Sequence, residues 1–123
     1  MKAILAVNNL SFIGLNDALP WRNLEDFKHF KRLTMDKEVL VGYNTLQTLP
    51  ELKGRIIIED LRYEFILTHD EIWCIGGKKT YEKYAPYFTE LHISHIDDNA
   101  IGDTTFPDFS ELNPDCKIFN YHF

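Results

Sequence analysis

Two short runs constrain the fold more than any other feature of the chain. "VLVG" (39–42) and "RIIIE" (55–59) are continuously apolar at their centres instead of alternating, the pattern of strands with neither face in water. Such strands need a sheet covered on both sides. Further β-rich runs stand at "KAILAV" (2–7), "EVLVGY" (38–43), "YEFIL" (63–67), "IWCIGG" (72–77), "ELHISHI" (90–96) and "KIFNYHF" (117–123), the last expected at a sheet edge. Helical patterns interleave at 24–34, 45–49 and 78–85. Strands alternating with helices predict an α/β domain of three layers: a central, mostly parallel sheet with helices on both faces. With no repeat, low-complexity segment or linker in its 123 residues, the chain reads as one domain, 1–123.

In sheets of this kind ligands bind at the carboxyl ends of strands, where loops lead into helix N-termini. Two segments have that form. "VLVGYNTL" is a strand, then Gly42, then a helix with Asn44 and Thr45 in its first turn. "WCIGGKKTYEKY" is a strand, then Gly76 and Gly77, then a helix opening with Lys78, Lys79 and Thr80. Glycine lets backbone approach a ligand closely, and free N–H groups at a helix start attract phosphate. Each alone is equally well an ordinary turn before a helix. Two in one small domain, one followed by paired lysines, favour a pyrophosphate clamp, although neither is a full dinucleotide fingerprint or a Walker motif.

The helix at 24–34 raises a second question. Winding it at about 100° per residue puts Leu24, Phe27, Phe30 and Leu33 on one half and Glu25, Lys28, His29 and Arg32 on the other. Asp26 falls inside the apolar arc. One explanation is local: Asn23 is an N-cap and Asp26, three residues later, gains from the helix dipole. The other is functional. "PW" just before the helix and the flanking Phe27 and Phe30 give the carboxylate an aromatic pocket, costly unless something donates hydrogen bonds to it. A ligand with two parallel N–H donors would match its two oxygens.

The remaining features exclude. A net charge of −6 argues against a general nucleic-acid binder. No apolar run approaches the ~20 residues of a membrane span, and "MKAILAVNNLSF" reads as a first strand rather than a signal peptide. Cys74 and Cys116 lack metal-type spacing and read as two thiols in a reducing compartment, the cytoplasm. The five histidines show no ligand spacing, His92 and His95 pointing to opposite faces of a strand, so no metal is expected.

In order along the chain, "FIGLNDALPWRNLEDFKHFKRLT", "VLVGYNTLQTLP", "LKGR", "CIGGKKTYEKY" and "HISHIDDNAIGDTTFPDF" resemble dihydrofolate reductase, over residues 3 to 109. The riboflavin-biosynthesis reductase shares that fold but fits the "PW…D…F" set less well. The resemblance implies reduction of 7,8-dihydrofolate to tetrahydrofolate by a reduced nicotinamide cofactor, with antifolates as further ligands and a monomer as the expected state. Asp26 takes the place of the acid that grips the pterin, Trp21 that of the residue holding a water beside it, and Ser94 that of the supporting hydroxyl. Ile4, Leu5 and Ala6 would lie along the pterin, Phe30 would stack on it, and Phe27 and Leu49 would flank the benzoyl group. Arg55 would take the α-carboxylate of the glutamate tail, which only a folate requires. Residues 13–21, with Ile13, Asn16 and Leu19, match the loop that closes over the nicotinamide beside Ala6, supported by Gly102 and Asp103. Gly42, Asn44, Thr45 and Gly76 to Thr80 match the turns around the cofactor pyrophosphate.

The chain departs from that family in being short between Asp60 and Ile72, on the adenosine side, and after Phe109, where one strand replaces a hairpin. NADPH is the cofactor implied. Tyr43, neutral where the family places an arginine, and Glu59-Asp60 at the end of "RIIIE" predict a weakened preference that also admits NADH. Two rivals remain: a pterin- or nucleotide-binding protein with little turnover, and a pteridine or flavin-precursor reductase.

Overall fold

Strand β1 (Lys2–Asn8) lies inside a six-stranded sheet of order β4-β3-β5-β1-β6-β8. The computed structural model describes residues 1–59 and 71–123, so the expected strand at 63–67 and Asp60 lie outside the described residues. On one side of β1 run β5 (Trp73–Gly76), β3 (Glu38–Val41) and β4 (Ile56–Glu59); on the other run β6 (Glu90–Ile96) and, at the edge, β8 (Lys117–His122). Every pairing in this sheet is parallel. A separate antiparallel pair joins β2 (Phe12–Gly14) to β7 (Thr104–Thr105). These strands are too short to leave an alternation in the sequence, and no run marks them.

The pleat divides β1 between two cores. Ala3, Leu5 and Val7 pack with Leu40, Cys74 and Phe88 and with Tyr81 and Tyr84 of α3 (Lys78–Tyr84). Ile4, on the opposite face, packs with Val39, Leu52 and Trp73 and with Phe30 and Leu33 of α1 (Leu24–Thr34). Helices therefore cover both faces at β3, as the run "VLVG" requires; β4 is the last strand of the order, and its Ile56 and Ile57 are exposed, against the expectation for "RIIIE". Phe88 is wholly buried, and its truncation to Ala would cost about 3–5 kcal/mol.

α1 occupies the predicted residues but is rotated. Its buried face centres on Asp26, with His29 and Leu33 to one side and Phe30 and Thr34 to the other. Leu24 and Phe27, expected to face inward, are 60% and 47% exposed, whereas His29, expected in solvent, is 3% exposed. The cause lies in what each side meets. Leu24 and Phe27 line a cavity, while His29 is covered by Tyr121 and Phe123 at the chain's end. The strand "EVLVGY" also ends early, at Val41, and α2 (Tyr43–Thr48) begins before the expected residue 45, with Gly42 as its N-cap.

The sheet opens where the site is found. β1 is paired with β6 along Lys2 to Asn8 but with β5 only at Lys2 and Ala3. At the point of divergence the buried Tyr81 hydroxyl donates to the Ile4 carbonyl at 2.6 Å, satisfying an acceptor the ladder no longer uses. This crevice is also where the strand order changes direction, the place such sheets offer to a ligand.

Candidate active site

A cavity of about 640 Å³ fills the crevice, a volume suited to a small organic ligand. Its wall on β1 is Ile4, Leu5 and Ala6. α1 contributes Leu24, Asp26, Phe27 and Phe30, and the far side is built by Thr45, Thr48, Leu49 and Leu52. Ile13 comes from β2, Asp17, Leu19 and Trp21 from the loop between β2 and α1, and Ile75, Gly77, Lys78 and Tyr81 from the end of β5 and α3. Its lining is mostly apolar.

Asp26 is the buried acid in that lining. Asn23 does cap α1, and it does so through the backbone: its Oδ1 accepts from the Asp26 N–H at 2.9 Å. The cap and the buried acid are therefore both present, and the carboxylate is not consumed by the cap. Burial raises its pKa above the ordinary 3.8; Ser94 and His29, the weaker influences, act the other way. Ser94 lies on β6 opposite Ala6. Its hydroxyl is buried and has no hydrogen bond of normal geometry among the described residues, and the same holds for Trp21 Nε1. These two buried polar atoms, on residues near a buried acid, suit a polar ligand edge.

The loop over the cavity is fixed at its tip. Leu15 and Ala18 exchange N–H···O bonds of 2.8 and 3.0 Å around Asn16 and Asp17, both at positive φ, as a two-residue reverse turn demands. The Asn16 N–H donates to Asp103 Oδ2 at 3.0 Å, and the Asp103 N–H donates to the Gly14 carbonyl at 2.9 Å. The Asn16 N–H first, and then the Thr104 hydroxyl, hold the Asp103 carboxyl below the usual carboxylate range. From the other side the Thr48 hydroxyl donates to the Asp17 carbonyl. Behind the loop the buried Asn8 donates to Ala100 and Asp98 and accepts from Leu10 and Phe12, tying β1's end to the 97–103 segment.

The two glycine turns interlock. Gly42 N–H donates to the Gly76 carbonyl at 2.7 Å, and Gly76 sits at φ +116, where a side chain would be strained. A Cβ at Gly42 would stand 2.6 Å from Thr80 Oγ1, and one at Gly77 2.7 Å from Thr45 Oγ1. Each glycine thus faces a hydroxyl from the opposite helix, and the pair forms a cradle only glycine leaves open. Its backbone and hydroxyls fit a pyrophosphate.

Not every expected residue reaches the cavity. Asn16, Gly42, Asn44, Gly76, Lys79 and Thr80 do not line it, although Gly42, Gly76 and Thr80 build the neighbouring cradle. Lys78 lines it, but its ammonium donates to Thr105 at 2.8 Å instead of pointing into the cradle. Arg55 lies outside the lining, close behind Leu52, with Nε and Nη1 buried and unpartnered among the described residues. Sequence patterning missed Tyr81, Thr48 and His29: a tyrosine in a helix, a threonine and a histidine carry no signal until the sheet places them.

The model of the family described as "Dihydrofolate reductase" matches residues 1–60 and 57–116. A dihydrofolate reductase of Buchnera aphidicola subsp. Schizaphis graminum is 32% identical, covering 97% of this chain and 83% of its own. A type 3 dihydrofolate reductase of Salmonella typhimurium is 30% identical over 89% of this chain and 78% of its own. Among solved structures, dihydrofolate reductase from Enterococcus faecalis, complexed with NADP(H) and RAB-propyl, superposes with a TM-score of 0.72 at 22% identity, over 89% of this chain and 77% of that one. Motif order, crevice, buried acid and family match agree, and the chain belongs to the dihydrofolate reductase family.

Proposed function

We propose that this chain reduces 7,8-dihydrofolate to tetrahydrofolate with NADPH. The observation that carries the reading is Asp26: a buried carboxylate facing an apolar slot, with its helix cap made by its own backbone and its oxygens left for a ligand. The nicotinamide would supply the hydride; the protein need only align two rings, exclude water and place charge at the pterin. Asp26 would accept from the 2-amino group and N3 of the pterin and favour a proton at N5. Trp21 and Ser94 offer polar atoms beside it. Ile4, Leu5, Ala6 and Phe30 form the walls of the pterin slot, Phe27 and Leu49 flank the benzoyl group, and Arg55 takes the tail carboxylate. Ile13 and Leu19 cover the nicotinamide, and the Gly42–Thr45 and Gly76–Thr80 turns take the pyrophosphate.

Neither Cys74 nor Cys116 is in a disulfide, which supports a reducing compartment, the cytoplasm. The test is dihydrofolate-dependent loss of NADPH absorbance with the purified chain. A folded protein whose melting temperature rises with an antifolate but which never oxidises cofactor would replace the enzyme with a binding protein.

A further inference from the structure

Asp26 is not the only buried titratable group beneath α1. His29 stands one turn further along, three residues away, and side chains at that spacing are neighbours on a helix. It is 3% exposed, and its Nε2 has no partner among the described residues. The Tyr121 ring covers it at 4.1 Å between centroids and the Phe123 ring at 5.3 Å. An apolar side chain would fill the same space without the cost of a buried, unsatisfied nitrogen.

The strand beneath is polar on the same face. Glu90, His92 and Ser94 alternate along β6 toward α1. His92 Nδ1 lies 2.9 Å from the Tyr121 hydroxyl and its Nε2 2.9 Å from Glu90 Oε1, which in turn faces Lys2. The titratable and charged groups that face His29 are therefore Asp26 and Arg32 on α1, His92 on β6 and Tyr121 on β8. Of these only Asp26 offers a negative partner. Burial depresses the imidazole pKa while Asp26 raises it; Arg32 and His92 lower it further.

We propose that His29 is a positioning residue for Asp26: the two buried groups, one turn apart on α1 and not hydrogen-bonded to one another, are coupled through space and titrate as a unit. Burial drives an acid's pKa up and an imidazole's down, so the two approach one another. The states with one shared proton, acid with neutral imidazole or carboxylate with imidazolium, have no net charge. A poorly solvated site favours them over the doubly protonated and doubly deprotonated states. The tilted contact with the Tyr121 ring, itself hydrogen-bonded to His92, holds the imidazole in place. The consequence for turnover rests on the reading of Asp26 as the pterin-binding acid: His29 keeps that acid ionised further into the acidic range.

The experiment is an NMR titration of the whole chain without ligand, following the Asp26 carboxyl carbon and the His29 ring. In the wild type the Asp26 curve should carry a second inflection at the His29 midpoint. His29→Gln should leave one inflection, displaced upward by about one pH unit. Asp26→Asn should move the His29 midpoint downward by a similar amount, because linkage is reciprocal. If His29→Gln does not fold, the Asp26→Asn titration and the wild-type curve decide. An Asp26 curve with one inflection and a His29 midpoint indifferent to Asp26→Asn would overturn the pairing. Failure of the reductase reading looks different: coupled titration in a chain that never oxidises NADPH keeps the pair and retires the reaction. Uncoupled titration in an active enzyme does the reverse.

Discussion

Asn23 caps α1 through the backbone amide of Asp26, 2.9 Å from its Oδ1, and leaves the Asp26 carboxylate to the cavity. Neighbouring residues thus divide stability from chemistry. Asn23→Ala removes the cap and should cost about 1 kcal/mol of stability, read as a lower midpoint of chemical denaturation. Turnover per folded molecule should hardly change.

Asp26→Asn should do the opposite. The amide keeps the shape but cannot stay anionic beside the pterin, so hydride-transfer turnover should fall on the order of 10²-fold at neutral pH. A carboxyl whose pKa is raised by folding favours the folded state only when protonated. Its contribution is fully present below the ordinary value of 3.8 and is lost as pH rises through the raised value. At neutral pH the charged group is therefore a burden. The variant should melt higher than wild type at pH 7, and the gain should vanish in acid. Lost stability with normal turnover would make the carboxylate structural.

Much of this was legible in the residues. The run "VLVG" reported a sheet covered on both faces, and β6 and α1 occupy the residues their patterns predict, whereas "RIIIE" became the last strand of the sheet order, with Ile56 and Ile57 exposed. What periodicity could not place was rotation. It located α1 but not the direction that counts as inward, because a ligand cavity and the aromatic residues of a distant strand set that direction. Hence Phe27 and Leu24 face an open slot and His29 lies under Tyr121. The β2–β7 pair and the bonds of Asn8 arise between segments far apart in the chain, and nothing in either segment alone announces them.

Arg55 should act on the folate tail and not the ring. Its buried Nε and Nη1 lack partners among the described residues, which suits a guanidinium held for a carboxylate. Arg55→Gln should raise the Michaelis constant for dihydrofolate by the equivalent of about 1.5–3 kcal/mol, the worth of a hydrogen bond to a charged group. A dihydropterin without the glutamate should be indifferent. Equal damage to both substrates would assign Arg55 to the fold.

Asp103 should govern the loop over the cavity. It accepts from Asn16 N–H while its own amide holds Gly14. Asp103→Ala removes the first bond and spares the second. The expected result is a roughly tenfold drop in turnover with little change in melting temperature, since the side chain is exposed and the loss falls on alignment. Asp103→Asn, which keeps an acceptor oxygen, should recover most of the rate. If alanine and asparagine fail alike, it is the charge at this position that matters and not the bond to Asn16.

Cofactor choice should respond to Glu59. Its backbone ends β4 opposite Val41, the residue before the Gly42 turn, so its position lies beside the cradle proposed for the pyrophosphate. An acid at such a strand end can hydrogen-bond a ribose 2′-hydroxyl and repels a 2′-phosphate. Tyr43, exposed and neutral, adds no positive charge on that side. The chain should therefore discriminate weakly between NADPH and NADH. Glu59→Lys should shift the ratio of kcat/KM values toward NADPH by roughly tenfold, about 1.4 kcal/mol. The same substitution should leave the Michaelis constant for dihydrofolate unchanged, because Glu59 is not among the described residues that line the cavity. A wild-type preference for NADPH above about a hundredfold, or no response to the charge reversal, would place the 2′-phosphate on another cation and remove Glu59 from cofactor selection.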